Sequence, residues 1–128
     1  MMTIKQNKWN IPVLEIITDK NNYWTGNQLV GYLSVFRNYR CQISATAEGE
    51  TDLGSSHVST NDFHFNPKDA VQMHLRECIE NNSNNVYNLG ITIDDIPREF
   101  IDASIEASKH WDELIKGKYT PTYSFPKA

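Results

Sequence analysis

Between Ala45 and Phe65 the chain gathers carboxylates, hydroxyls and imidazoles around two glycines: Glu48, Glu50, Asp52, Ser55, Ser56, His57, Asp62 and His64. Two imidazoles and a carboxylate are a ligand set that leaves coordination positions open for substrate, so His57, Asp62 and His64 could hold a catalytic metal, with Glu48 or Glu50 moving the proton. Strand parity works against that set. Asp62 and His64 share a face, whereas His57 lies an odd number of residues away and points oppositely unless a loop or bulge turns it. The bland alternative is a polar hairpin whose Phe63 and Phe65 face inward.

His74 and Cys78 are four apart, which on a helix makes them neighbours; with His57 or His64 they could complete a tetrahedral zinc site. No C-x-x-C or H-x-x-x-H companion supports it, and both residues border the apolar positions Val71, Leu75 and Ile79. Ser55, Ser56 and His57 adjoin in sequence without a G-x-S-x-G elbow. Gly49 and Gly54 lack the lysine of a phosphate loop, because Ser55 stands in its place. No cofactor is expected from these patterns. A further grouping, Tyr23, Trp24, Arg37 and Arg40, offers stacking faces and guanidinium groups suited to a nucleotide-like ligand.

Charge suggests a different kind of site. Over residues 94–113 the outer positions carry Asp94, Asp95, Glu99, Asp102, Glu106, Asp112 and Glu113 against Arg98 and Lys109. An acidic ridge at helical spacing can meet a basic protein surface and speed association with it; the ordinary alternative is a solubilising helix face. Asp94 and Asp95 are also explained as charges complementing a helix N-terminus. The net charge of -4 includes no basic stripe of the kind that binds a phosphate backbone, so direct nucleic-acid binding is not expected.

The elements that must position these groups follow from periodicity. Ile11–Thr18 is apolar and β-branched, with Pro12 near its start, and reads as a strand. Thr25 and Gln28 form a capping-box pattern, and Leu29, Leu33 and Phe36 repeat at helical spacing, so a helix is expected over 26–38 despite Gly31. Residues 41–47 alternate as a half-buried strand with 58–65 as its antiparallel partner, joined by a loop over 48–56. Asn66-Pro67 opens a second helix that ends at the Asn81–Asn85 cluster. Residues 86–93 alternate as another strand. From Asp95 and Pro97 a third helix, carrying Ile96, Phe100, Ala103, Ala107, Trp111 and Leu114 on one stripe, should run to Lys116 and stop at Gly117. The order β-α-β-β-α-β-α implies an α+β fold, a small mainly antiparallel sheet with about three helices packed on it.

A length of 128 residues suits one domain, with 119–128 as a C-terminal tail that either docks through Tyr119, Tyr123 and Phe125 or stays extended. No apolar run reaches the roughly 18 to 20 residues of a membrane span, and no secretory h-region is present, so a soluble cytoplasmic protein is expected. Cys41 and Cys78 are expected as buried thiols. Many asparagines and isoleucines with few alanines fit an AT-rich genome, such as that of a phage or low-GC bacterium. Together these features favour a non-catalytic binding or inhibitory accessory protein acting on a host component, with a protein partner. A small metal-assisted hydrolase using the 48–64 region is the first alternative and a small-ligand protein the second; self-association is compatible with all three.

Overall fold

The structure, a computed structural model, describes residues 1–21, 26–35, 37, 41–48, 56–58, 67–81 and 89–128, with 56–58, 67 and 77–81 described by their backbone alone. Among the described residues five strands, β1 (Met2–Gln6), β2 (Pro12–Asn21), β3 (Gln28–Val35), β4 (Cys41–Ser44) and β5 (Ser56–Val58), form one sheet in sequential order, each antiparallel to the next. Among the same residues three α-helices follow, α1 (Pro67–Asn81), α2 (Arg98–Lys109) and α3 (Trp111–Ile115). The α+β class read from the sequence is the class observed.

Over residues 28–35 of the helix expected at 26–38, the chain is instead β3. Leu29 and Leu33 are four apart, a spacing that returns to the same face after one helical turn or after two strand repeats. The strand reading wins because Gly31 and Val35 complete an alternating set with them. Gly31 leaves room at that point for Leu89: a Cβ there would stand 2.8 Å from Leu89 Cδ1, so the leucine side chain would have to shift. Gln28, expected in a capping box, donates its side-chain N–H to the Thr18 carbonyl on the neighbouring strand, 2.9 Å away.

Alternation divides the sheet into two faces. Leu14, Ile16, Leu29, Leu33, Val35, Cys41 and Ile43 point to the side covered by the helices, where Ala70, Val71, Leu75, Leu89, Ile96 and Phe100 close the main core. Burying a phenylalanine such as Phe100, which is fully enclosed, contributes about 1.5–3 kcal/mol. Cys41 is fully buried in this core. On the opposite face Glu15 receives both the Lys5 ammonium and the Tyr32 hydroxyl, each at 3.1 Å.

The expected strand over 86–93 is corrected in its described part. Gly90 has φ +69, and Thr92 and Asp95 cap a single 3-10 turn at Ile93–Asp95, with the Thr92 N–H donating to Asp95 Oδ2 at 2.9 Å. The left-handed glycine breaks the alternation and the cap turns the chain toward α2. The long last helix is also corrected, because it breaks at His110, whose backbone leaves helical geometry at φ -118, ψ 25. α3 then ends near Gly117, at φ +73. Helix α1 begins at Pro67 and ends within the asparagine cluster as expected.

The tail docks. Gln6 donates its N–H to the Pro126 carbonyl and accepts from the Ala128 N–H, both at 2.9 Å, so the C-terminus adds a parallel bridge to the outer edge of β1. Tyr119 and Tyr123 join Trp9 and Trp111 around a second apolar cluster of Ile11, Ala107 and Leu114. Among the described residues no helix is long and apolar enough to cross a membrane.

Candidate functional site

Helix α2 presents two faces for different uses. Phe100, Ala103, Ser104 and Ala107 are buried against the sheet. Glu99, Asp102 and Glu106, at steps of three and four, lie on a neighbouring face, where they line a groove of about 370 Å³ shared with Tyr123, Ser124 and Phe125 of the tail. The acidic positions of the ridge are therefore gathered by the helix and walled by the tail.

Glu106 holds that wall in place. Its carboxylate accepts from the Tyr119 hydroxyl at 2.8 Å, from the Thr122 N–H at 2.7 Å and from the Thr122 hydroxyl. Burial alone would raise its pKa; the two Thr122 donors, the Tyr119 hydroxyl and the His110 charge outweigh it and hold Glu106 below the ordinary carboxylate range. The same bond raises the Tyr119 phenol. Burial, and then the Glu106 charge, raise Tyr123, whose hydroxyl donates to the Asn10 carbonyl at 2.8 Å. His110, at the helix break, stacks on Tyr119 with ring centroids 4.0 Å apart. Glu106, read from the sequence as one more docking charge, is thus the tail's anchor, while Glu99 and Asp102 are solvent-exposed on the groove. Arg98 approaches Asp102 at 3.8 Å, an open pair of small energetic weight.

Of the other ridge positions, Asp94 and Asp95 stand in the 3-10 turn before α2, and Asp112 and Glu113 lie beyond the break. Asp112 accepts from Arg37 at 2.9 Å, a pair in which both side chains are 58% exposed, so Arg37 is engaged with α3. Glu113 is exposed on α3 beside Lys109 and His110. The ridge expected from the sequence is thus divided among the 3-10 turn, α2 and α3.

Other sequence candidates fall as follows. His74 is fully buried on the core side of α1, among Ala70, Val71 and Leu75, which makes it part of the packed helix face. His57 lies in β5 opposite Ile43, and Cys78 lies within α1. Glu48 is half-buried, and its charge contributes, after burial and the neighbouring Glu15, to raising the Tyr32 phenol. Glu50, Asp62, His64, Tyr23, Trp24 and Arg40 lie outside the described residues. Among the described residues no group of three or more His, Cys, Asp or Glu side chains is placed to hold a metal ion.

The sequence reading passed over the turn between β1 and β2. Asn7 Oδ1 accepts from the N–H groups of Trp9 at 3.0 Å and Ile11 at 3.1 Å, and Asn10 adopts φ 63. The signal available in the sequence was the pair Asn7 and Asn10, residues that favour such side-chain-supported and left-handed turns. Compared with protein-family models, with curated proteins and with solved structures, this chain matches none.

Proposed function

We propose that this protein is a non-catalytic binding protein whose groove between α2 and the C-terminal tail receives a basic segment of a partner protein. The observation that carries the reading is the joint placement of Glu99, Asp102 and the anionic Glu106 on one side of a groove whose other side is Tyr123 and Phe125. Carboxylates steer and orient a lysine- or arginine-rich segment, while aromatic rings supply contact area at low entropic cost. Occupying the basic surface of a target in this way is also how a small accessory factor inhibits it.

A ten-residue oligolysine peptide, titrated calorimetrically at low and at moderate salt, tests the reading. Binding should weaken with salt, and Glu99→Gln with Asp102→Asn should weaken it about five- to tenfold, the scale of two partly screened charges. Equal affinity of wild type and the double variant would overturn the proposal. Neither substitution touches the tail's anchor, so folding is preserved.

A further inference from the structure

A second hollow, separate from the α2–tail groove, lies between the β1–β2 turn, the segment after β4 and α3. It has a volume of about 250 Å³, and Trp9, Trp111, Ile11 and Ile115 contribute its apolar walls, with Glu48 and Asn7 as polar members. Both indoles are half-buried, and Ile115 is 40% exposed, so the walls face an accessible space. From the two indoles and the carboxylate we infer that this hollow is a binding site for an organic ammonium cation.

Three observations carry the inference. Indole has the strongest cation-attracting face of the aromatic side chains, and the attraction grows as an ammonium is withdrawn from water. Trp9 already displays that property, for the Lys8 ammonium sits 4.6 Å from its ring centroid. Among the described lining residues the only charged side chain is the Glu48 carboxylate, whose charge is of the sign that attracts a cation.

The walls are also tied together before any ligand arrives. Asn7 fixes the turn bearing Trp9 through its Oδ1, and its Nδ2 donates to the Ala47 carbonyl at 3.4 Å, next to Glu48. One side chain thus links the indole wall to the carboxylate wall. Trp111 is positioned from beneath by the cluster of Ile11, Ala107 and Leu114. A volume of this size is smaller than the roughly 300–1,000 Å³ of drug-sized pockets and matches a single compact cationic headgroup.

Choline and its neutral isostere 3,3-dimethyl-1-butanol, titrated against the full chain by calorimetry and tryptophan fluorescence, separate charge recognition from apolar burial. Choline should bind at one saturable site at least about tenfold tighter than the isostere, and Glu48→Gln should lower that preference. Lys8→Met should tighten choline binding, because it removes a competing cation from Trp9. Equal binding of the two compounds, or binding of neither, would overturn the inference without using any variant. So would choline affinity unchanged in both Trp9→Phe and Trp111→Ala proteins shown by circular dichroism to be folded. A heptapeptide bearing trimethyllysine distinguishes the source: tighter than choline, it assigns the ammonium to a partner's side chain, and weaker, to a free small molecule. The Glu99→Gln, Asp102→Asn variant, whose changes lie outside this hollow, should bind choline as wild type does, which keeps this outcome distinguishable from that of the oligolysine titration.

Discussion

Glu106 concentrates more of the local order than any other acidic residue of the ridge. Three donors converge on its carboxylate, and two of them come from Thr122, so a single helix position fixes the course of the tail. Replacing it by glutamine keeps the shape but swaps one acceptor oxygen for an N–H₂ that faces donors. Glu106→Gln should therefore cost about 1 kcal/mol in urea denaturation, a figure kept low because the site is partly open to water. Acid titration gives a sharper check. The folded carboxyl titrates below its unfolded value of 4.5, so its stabilisation is fully present above that value and lost as pH falls through the folded pKa. The acid limb of the stability curve should be shallower in Glu106→Gln, and an unchanged limb would show that the three bonds do not control it.

At the scale of elements, β3 shows how a close contact dictates a residue in a strand. Glycine normally weakens a strand, yet Gly31 gives Leu89 room to reach the sheet between Leu29 and Leu33. Gly31→Val should overpack this point and cost about 1–3 kcal/mol. Leu89→Ala alone should cost about 2–5 kcal/mol. The combination of Gly31→Ala with Leu89→Ala should be less damaging than the sum by at least about 0.5 kcal/mol, since the new methyl occupies space the leucine vacates. Strict additivity in equilibrium unfolding would mean that the two do not meet. The break at His110 is the other decision made at this scale: it lets α3 turn away from α2, so that Trp111 faces the β1–β2 turn and His110 faces Tyr119.

Across the whole molecule, the two chain ends are joined at β1, where Gln6 bonds Pro126 and Ala128 through its backbone and accepts from the Phe125 N–H through its side chain. The Lys127 ammonium reaches Asn10 in the same region. Tyrosines stand on both sides of this arrangement: Tyr32 is raised by burial, the Glu15 bond and nearby charge, Tyr123 by burial and Glu106, and Tyr119 by its bond to Glu106. A phenol raised above its unfolded value of 10.0 contributes stability that is present below that pH and lost as pH rises through the folded pKa. Thermal stability should accordingly fall once pH exceeds 10, together with the appearance of tyrosinate absorbance. Tyr123→Phe should flatten that alkaline loss; an alkaline limb identical to wild type would remove Tyr123 from the account.

What the sequence by itself determined is whatever a local period or cap encodes without rival. Pro67 after an asparagine opens a helix, the Phe100-Ala103-Ala107 stripe buries one face of another, and Glu99, Asp102 and Glu106 must share a side of it. Tertiary structure decided every case in which one pattern served two geometries or the partner was remote. A spacing of four could not tell helix from strand at Leu29 and Leu33 until Leu89 claimed the space over Gly31. Nor could the row of carboxylates reveal that Glu106 binds Tyr119 and Thr122, more than a dozen residues away. The hollow of Trp9, Glu48 and Trp111 was equally hidden, because its walls come from a turn, a strand exit and a short helix that only folding brings together.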